Sequence, residues 1–297
     1  MVRPVDALLE FLRAQQARGL SHLHLSPEAR TGLRTLHERL RGGSAPATSP
    51  TPPRPVSPRP TAAILPGGPP AAKPAPAPVV TARLVITGTS REEQLASLRQ
   101  QAETWGPARS LGTLREMMVF GTGDPAARLM LVGEAPGYEE EKQREPFVGT
   151  AGKKLDLILK AMNLSRTEVF LTNIVKFRPA AARQTTNNRP PTAEEIAACL
   201  ALLRAEIDIV RPDCIVALGP TAAAGLLDNA VGVTALRGSW HEFQGVPVRV
   251  TFHPSYLLRS EHDLAIKRTV WEDMLTVMER LALPISAKQR GHFLPRA

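Results

Sequence analysis

LMLVGEAPGYEEEKQREPFVGTAG, residues 129–152, is the stretch that decides the fold of this chain. Its opening apolar run, LMLV, has the length of a buried parallel strand, and Gly133 ends that run. The following segment carries a carboxylate at Glu134, a Pro-Gly turn, an acidic run and the aromatic Phe147, and the apolar spacing from Leu155 onward predicts a helix. A strand, a polar loop and a helix start in this order are typical of a pocket wall in an open α/β sheet.

The rest of the chain repeats this alternation of apolar strands and helices. Ser90 with Glu93 forms a capping box that starts one helix, and Thr192 caps another. The alternation predicts a largely parallel sheet between two helical layers, with functional side chains on the loops that leave the strand ends. The expected strands are 129–132, 169–175, 214–218 and 246–252, and further helices are expected over 153–162, from Thr221, and over 264–283.

The chain divides into three parts. Residues 1–42 carry leucines at helical spacing, which predicts two short helices. Residues 45–80 hold 13 of the chain's 28 prolines, mixed with Ala, Ser and Thr. Such a segment buries too little apolar surface to form a core, so we interpret 43–80 as an extended linker. A folded domain is then expected over 81–297, with the N-terminal helices as a packing or partner-binding appendage.

Composition narrows the class of protein. A hydrophobic fraction of 43% is enough for a core, and no apolar run is long enough to span a bilayer or to act as a secretory signal. We therefore expect a cytoplasmic protein without membrane association. The two cysteines, Cys199 and Cys214, are expected to be reduced thiols. A net charge of +9 with a pI near 10.1 favours attraction to a polyanion such as nucleic acid.

Three loops that leave strands on the same edge of the predicted sheet carry unusual side chains: residues 134–147, 172–178 and 253–259. Asn173 interrupts an apolar strand, so its amide either makes a structural hydrogen bond or reads a ring amide of a ligand. His253 ends a strand before Pro254, and Phe147 has the alternative of an ordinary core position. The basic side chains near these loops, which form either a solvated rim or phosphate contacts, are Lys176, Arg178, Arg189 and Arg259.

The motifs GEAPGYEEEKQREPFVGTAG, TNIVKFRP with NNRPP, a helix containing Cys199, and HPSYLLR follow one another in an order that resembles the uracil-DNA glycosylase superfamily, in its family 4 type. The resemblance covers roughly residues 105–283. It implies a three-layer α/β/α fold with a central, mainly parallel four-stranded sheet. It also implies hydrolysis of the N-glycosidic bond of a flipped deoxyuridine, in single- or double-stranded DNA, during base excision repair.

The resemblance also implies roles for individual residues. Phe147 matches the aromatic on which uracil stacks, Asn173 the amide that reads the pyrimidine edge, and His253 the group that stabilises the uracil O2. Glu134 and Glu140 match loop carboxylates that position water and stabilise an oxocarbenium-like sugar. Alanine stands at position 135, as in family 4, where some relatives carry a catalytic aspartate. The implied substrate-binding set is Gly133, Ala135, Pro136, Gly137, Phe147 and Asn173.

Contacts to the DNA itself are implied for a second set of residues. Leu257 matches a wedge that enters the base stack behind the extruded nucleotide, and Arg259 would bind a flanking phosphate. The other expected DNA contacts are Lys176, Arg178, Arg189 and Ser255.

The chain departs from family 4 at its iron–sulfur cluster. The family holds a [4Fe-4S] cluster with four cysteines, and the matching positions here are Gly106, Arg109, Phe177 and Cys199. One thiolate does not hold a four-iron cluster, so we expect no cofactor and no metal, with Trp105 and Phe177 filling the space. The loop 180–188 is longer than in the family pattern and lacks the histidine-bearing insert of relatives that trap DNA covalently.

Two alternatives to a uracil-DNA glycosylase remain open from the sequence. The missing cluster ligands and the N-terminal segment fit a weakly active or inactive homologue that binds DNA or recruits a partner through residues 1–42. Gly137, in place of a bulkier residue, fits a glycosylase for another deaminated base. In each case we expect a monomer.

Overall fold

The computed structural model describes residues 83–228, 231–260 and 262–293. The expected helices in 1–42 and the expected linker over 43–80 lie outside the described residues. The strands are β1 Leu114–Met118, β2 Thr122–Gly123, β3 Leu129–Gly133, β4 Phe170–Asn173, β5 Phe177–Pro179, β6 Cys214–Leu218, β7 Trp240–Phe243 and β8 Val246–Thr251. The helices are α1 Arg91–Glu103, α2 Gly106–Arg109, α3 Tyr138–Gln143, α4 Thr150–Ala161, α5 Ala193–Val210, α6 Pro220–Leu227, α7 Val233–Leu236, α8 Pro254–Arg259, α9 Leu264–Arg280 and α10 Ala287–Arg290.

Six strands form one sheet in the order β2-β4-β3-β6-β8-β7. The four central strands β4, β3, β6 and β8 are mutually parallel, which confirms the predicted mainly parallel four-stranded sheet. The antiparallel edge strands β2 and β7 were not predicted from the sequence. Strands β1 and β5 pair separately as a two-stranded antiparallel ribbon.

Side-chain alternation along the central strands builds a core on each face of the sheet. On β3, Met130 and Val132 join a cluster that includes residues of α1 and α5, whereas Leu129 and Leu131 join a cluster with α4 and α9. A strand that is apolar on both faces is the pattern of a sheet covered by helices on both sides. The predicted α/β/α layering is therefore confirmed.

Helix starts follow the predicted capping chemistry. Ser90 accepts a hydrogen bond from the backbone N–H of Glu93, and Thr192 accepts one from that of Glu195. In both cases the glutamate carboxylate accepts the cap's own N–H in return, so two donors at the helix start are satisfied. Among the described residues, no helix is long and apolar enough to cross a bilayer.

The order of the strands determines where the loops that follow β3, β4, β6 and β8 lie. The chain goes from β3 outward to β4, then returns to the other side of β3 for β6 and β8. Ligands in open α/β sheets bind outside the carboxyl ends of the strands at such a reversal. Parallel pairing brings the ends of β3, β4, β6 and β8 to that one edge.

Candidate active site

Three side chains from three of these loops, Phe147, Asn173 and His253, lie close together, and we call the place where they meet the slot. The ring centroids of Phe147 and His253 lie 6.2 Å apart, with their planes inclined by 31°. A methyl group on Gly133 would lie 2.4 Å from Oδ1 of Asn173 and 2.5 Å from Cζ of Phe147. The end of β3 is therefore glycine because an aromatic and an amide both approach its backbone. The structure brings Phe147, Asn173 and His253 together, as the alternation of strands and helices predicted.

Phe147 has an unusual backbone conformation that its surroundings maintain. Its φ of 57° lies in the left-handed region, which is uncommon for a bulky residue. The guanidinium of Arg166 donates to the carbonyl oxygens of Pro146 and Phe147, and its Nε is held by Asp156 at 2.7 Å. Gly152 leaves the room that this turn requires, because a Cβ there would lie 1.6 Å from the carbonyl oxygen of Phe147. The aromatic wall of the slot is thus fixed by residues outside it.

Asn173 is the last residue of β4, and its carbonyl oxygen is bonded by the lysine of a buried ion pair. The ammonium of Lys176 donates to the carbonyl oxygen of Asn173 at 2.7 Å, to Oγ1 of Thr172 at 2.6 Å and to Oε2 of Glu206 at 2.5 Å. Thr172 also donates to Glu206 at 2.9 Å, and the backbone N–H of Gly121 donates to its other oxygen. Lys176 and Glu206 are both 0% exposed. All three ammonium protons are engaged, so the charge is both paired and hydrogen-bonded.

The assignment of Lys176 to a DNA phosphate is therefore wrong, and the same correction applies to Arg178. The Arg178 side chain is 1% exposed and donates to Glu141 at 3.0 Å. It also donates to Oδ1 of Asn188 and to two carbonyl oxygens of the loop 180–188. Arg178 organises that loop from inside the protein, and no phosphate reaches it.

Arg189 is likewise a structural residue. It makes a bidentate pair with Glu195, with N–O distances of 2.6 and 2.8 Å. Its remaining donors reach the carbonyl oxygens of Ala180, Pro190 and Thr113. These contacts occupy the N–H donors of the guanidinium, so the expectation of a phosphate contact is corrected for Arg189 as well.

The hydrogen bonds of His253 determine which of its ring nitrogens carries the proton. The backbone N–H of Ser255 donates to Nδ1 of His253 at 3.1 Å, and the Ser255 hydroxyl lies 2.8 Å from the same nitrogen. Since Nδ1 accepts, the neutral ring carries its proton on Nε2. Burial, with a smaller contribution from the charge of Arg259, lowers the pKa of His253 from 6.5 to about 4. The imidazole is neutral at physiological pH, and Ser255, expected to bind DNA, sets its tautomer.

Glu134 follows β3 and has a partner that the sequence did not indicate. The hydroxyl of Thr221, at the start of α6, donates to Oε2 of Glu134 at 2.9 Å. This contact joins the ends of β3 and β6, where the strand order reverses. Burial raises the pKa of Glu134, and the Thr221 hydrogen bond opposes that rise. The position of Thr221 after a strand end was the only available signal.

Glu140 has a different role from the one expected. Its Oε2 accepts the N–H of Gly137 at 3.1 Å, and its Oε1 accepts the N–H of Gly149 at 2.9 Å. The carboxylate therefore joins the two ends of the loop, and we correct its catalytic assignment to one of bracing. Ala135 is half-buried and Pro136 buried in the same loop, and their assignment to substrate binding stays a prediction.

Gly137 does not enlarge the slot. A Cβ at this position would lie 2.6 Å from Oε2 of Glu140 and 3.0 Å from Nδ2 of Asn188. The space beside the glycine is already filled by a carboxylate and an amide. The extra room expected for a larger base is therefore absent at this point.

The helix α8 carries the expected wedge. Leu257 is 4% exposed, and α8 packs against α4. The leucine is therefore buried in the protein without DNA, and its assignment as the wedge stays a prediction. Arg259 is exposed, and its guanidinium carbon lies 5.8 Å from the ring centroid of Tyr256. Arg259 remains available for a phosphate.

The four positions that match the cluster cysteines do come together in space, but their side chains do not fit a cluster. The Arg109 guanidinium lies over the Phe177 ring at 4.4 Å, and Nε1 of Trp105 donates to the carbonyl oxygen of Ala198 at 2.7 Å. Cys199 is buried, and burial raises its pKa to about 11. In the part of the chain that the structure describes, no group of three or more His, Cys, Asp or Glu side chains is placed to hold a metal ion. A single protonated thiol, that of Cys199, does not provide the four thiolate ligands that a four-iron cluster requires.

Comparison with known proteins agrees with this geometry. Residues 120–275 match the family profile described as "Uracil DNA glycosylase superfamily". The chain belongs to this superfamily. A type-4 uracil-DNA glycosylase of Thermotoga maritima is 44% identical over 162 residues, which are 54% of this chain and 81% of that protein.

Other superfamily relatives show the same pattern of coverage. A type-4 uracil-DNA glycosylase of Sulfurisphaera tokodaii is 36% identical over 59% of this chain and 79% of its own length. A type-5 uracil-DNA glycosylase of Pyrobaculum aerophilum is 34% identical over 46% of this chain and 64% of its own length. The resemblance to family 4 is thereby confirmed.

Proposed function

We propose that this protein is a DNA glycosylase that hydrolyses the N-glycosidic bond of a flipped deoxyuridine. The observation that carries the proposal is the slot formed by Phe147, Asn173 and His253 at the carboxyl edge of the sheet. An aromatic face, an amide and a neutral imidazole donor are the groups that one extruded pyrimidine requires. The names of the curated relatives support the same activity.

Asn173 would provide the base recognition. An amide oxygen accepts the N3–H of uracil while the amide NH₂ donates to O4. Cytosine presents an acceptor at N3 and a donor at N4, so both contacts would be mismatched. A buried amide left without partners in this way rejects the wrong base strongly. The Lys176 anchor on the Asn173 carbonyl keeps the strand end in position for this discrimination.

His253 would stabilise the leaving base. As the bond between C1′ and N1 breaks, negative charge develops on uracil and is shared by O2. The Nε2–H of a neutral imidazole donates one hydrogen bond to that oxygen without transferring its proton. The lowered pKa of His253 fits this role, because the ring then remains neutral while Ser255 fixes its tautomer.

Glu134 would act on the water and the sugar. The Thr221 hydroxyl holds Oε2, which leaves Oε1 to orient a water molecule toward C1′. The carboxylate also stabilises the positive charge on the sugar, and it takes up a proton as the new C1′–O bond forms. The uracil anion then acquires a proton from solvent. Glu140, whose oxygens brace the loop, takes no part in these steps.

We further propose that this reaction proceeds without an iron–sulfur cluster. The Arg109 and Phe177 side chains occupy the positions of two cluster ligands, and they connect α2 to β5 through a cation–π contact. Such a contact stabilises by about 0.5–1 kcal/mol at an exposed site. It therefore replaces part of the structural role of a cluster.

The packing beside Gly137 favours uracil over larger deaminated bases. Glu140 and Asn188 fill the space beside Gly137, so the glycine adds no room for a larger base at this point. We therefore propose uracil as the substrate and DNA, in single- or double-stranded form, as the partner. The exposed Arg259 and the net charge of +9 supply the attraction for phosphates.

The test is base release from oligonucleotides that contain one uracil, hypoxanthine or xanthine. The unaltered protein is expected to release uracil. His253→Ala is expected to lower the rate by about 10²–10³-fold, the loss typical of one oxyanion donor. His241→Ala is the matched control, because that histidine bonds the carbonyl oxygen of Leu236, and it is expected to retain activity.

Absence of uracil release with enzyme in excess would contradict the proposal. Salt-sensitive DNA binding without release would instead identify an inactive DNA-binding homologue. Release of hypoxanthine or xanthine in preference to uracil would identify a glycosylase for another deaminated base.

A further inference from the structure

The turn that carries Phe147 needs support from outside the slot. Phe147 is 5% exposed and its φ is 57°, a left-handed conformation that bulky residues rarely adopt. Such a conformation persists only where neighbouring groups hold it. Pro146 and Phe147 are both buried, so the carbonyl oxygens of this turn require hydrogen-bond partners within the protein.

One guanidinium supplies those partners. Nη1 of Arg166 donates to the carbonyl oxygen of Pro146 at 3.2 Å, and Nη2 donates to that of Phe147. Two neighbouring carbonyl oxygens are therefore bound by the two terminal nitrogens of one planar group. The ammonium of a lysine is a point charge without this fixed geometry, so it would not hold both oxygens in the same way.

Arg166 is itself held at both ends of its side chain. Its Nε donates to Oδ1 of Asp156, in α4, at 2.7 Å. Its backbone lies in a turn where the carboxylate of Glu168 accepts the N–H of Ser165 at 2.9 Å and the Ser165 hydroxyl at 2.7 Å. The Arg166 side chain is 27% exposed. A side chain fixed in this way has little freedom left, so the guanidinium is preorganised for the Phe147 turn.

The donors of Arg166 end on oxygens of the protein. Besides the two carbonyl groups and Asp156, Nη1 lies 3.4 Å from Oε1 of Glu145. The guanidinium contacts the backbone of Phe147, whereas the ring of Phe147 lies 6.2 Å from that of His253. Arg166 therefore acts on the slot through the backbone of Phe147 and not by a contact of its own with a base.

We propose that Arg166 is a positioning residue for the uracil stack, and that it holds the backbone of residues 146–147 so that the Phe147 ring faces the base. This inference rests on the proposed function, because it names the group that orients the aromatic of the same site. Without the guanidinium the turn relaxes and the ring moves. A displacement of about 1 Å in such a site lowers the rate by about 10²-fold.

The experiment measures single-turnover uracil release and its inhibition by free uracil, which would stack on Phe147 without any contact to DNA. Arg166→Ala is expected to slow release by about 10- to 100-fold. It is also expected to weaken inhibition by free uracil by about 5-fold or more, the lower end of the range for one base–aromatic stack. Millimolar guanidinium ion is expected to restore part of the rate, because the partly exposed site admits it.

Two further variants separate the guanidinium from its charge and from ion pairs in general. Arg166→Lys, which keeps the charge, is expected to remain close to the alanine variant, and full activity of Arg166→Lys would overturn the inference. Arg128→Ala is the matched control. Arg128 also pairs through Nε with an aspartate, Asp213, at 2.6 Å, but it directly precedes β3, at the edge of the sheet opposite the slot. Arg128→Ala is expected to retain the rate of uracil release.

Hydrogen–deuterium exchange of the protein alone does not depend on turnover. Arg166→Ala is expected to raise exchange over residues 144–153 and to leave the central strands β6 and β8 as protected as in the unaltered protein. Unchanged rate and exchange would overturn the inference. So would exchange raised over the whole domain, which indicates a purely structural role, or a salt slope of DNA affinity smaller by about one, which indicates a phosphate contact. If the unaltered protein releases no uracil, the proposed function fails, and the exchange result then decides alone whether Arg166 holds the Phe147 turn.

Discussion

Replacement of Lys176 by methionine isolates the contribution of the buried ion pair behind Asn173. The variant removes an ammonium whose three donors reach Thr172, Asn173 and Glu206, and it leaves the Glu206 carboxylate unpaired in a site that is 0% exposed. Removal of one partner from a buried pair typically lowers the free energy of unfolding by about 3–5 kcal/mol. The methionine stem fills most of the lysine volume, so the uncompensated charge is the main cause of the loss.

The expected change is large enough to measure by thermal or urea unfolding. For a domain of this size, a loss of 1 kcal/mol lowers Tm by about 2–4 °C, so Lys176→Met is expected to lower Tm by about 6–20 °C. The double variant Lys176→Met/Glu206→Leu is expected to recover most of that loss, because an apolar pair of similar volume is often as stable as a buried ion pair. Lys153→Met, on the exposed side of α4, is the matched control and is expected to stay within about 0.5 kcal/mol of the unaltered protein.

Two results would refute this reasoning. One is a loss below about 1 kcal/mol for Lys176→Met, which is the size expected of a surface pair. The other is a decrease of about one in the slope of log affinity for DNA against log salt, which is the signature of a lost phosphate contact. Either result would return Lys176 to the DNA-binding surface.

Three further outcomes are expected. Gly152→Ala places a Cβ 1.6 Å from the carbonyl oxygen of Phe147, so the backbone of Phe147 must move. The rate of uracil release is expected to fall by about 10²-fold. Gly106→Ala, where a Cβ meets nothing within 4 Å, is the control and is expected to retain activity. Unchanged kinetics in Gly152→Ala would contradict the packing described. Between pH 6.5 and about 4 the unfolded chain binds a proton at His253 that the folded chain does not, so the free energy of unfolding falls as pH falls. When pH is lowered from 7 to 4.5, the free energy of unfolding of His253→Asn is expected to fall by about 2–3 kcal/mol less than that of the unaltered protein. An equal dependence on pH in the two proteins would count against the buried neutral ring. Purified protein is expected to contain no stoichiometric iron or sulfide and to keep its Tm and activity after chelation, whereas a full complement of iron would disprove the assignment of Arg109 to that site.

The general arrangement of the fold could be predicted because it depends on local patterns. Apolar runs of strand length separated by capped helices specify a parallel sheet, and a parallel sheet brings its loops to one edge. The convergence of Phe147, Asn173 and His253 followed from that rule. The short edge strands β2 and β7 escaped prediction because a two-residue strand and a strand rich in polar residues carry little hydrophobic pattern.

The environment of individual charges could not be predicted in the same way. A lysine or arginine after a strand has the same local sequence whether it faces solvent or a distant carboxylate, so Lys176 and Arg178 were assigned to DNA. Their partners, Glu206 and Glu141, are 30 and 37 residues away along the chain.

The orientation of α8 posed a related problem. Leu257 was assigned as the wedge from the resemblance alone, and a helix of six residues is too short for periodicity to indicate that this leucine is buried. Thr221 was missed because a hydroxyl has no distinctive signal of its own.

The central claim is that Asn173 reads the edge of a base that stacks on Phe147 and whose O2 accepts a hydrogen bond from His253. The most direct measurement quantifies free uracil and free cytosine released from U·G and C·G duplexes by the unaltered protein and by Asn173→Asp. We expect the unaltered protein to release uracil alone. We expect the variant to lose uracil release by about 10²-fold or more and to shift its preference toward cytosine, whose N4 donor a carboxylate accepts. An unchanged preference for uracil in Asn173→Asp, or no uracil release by the unaltered protein, would contradict the claim.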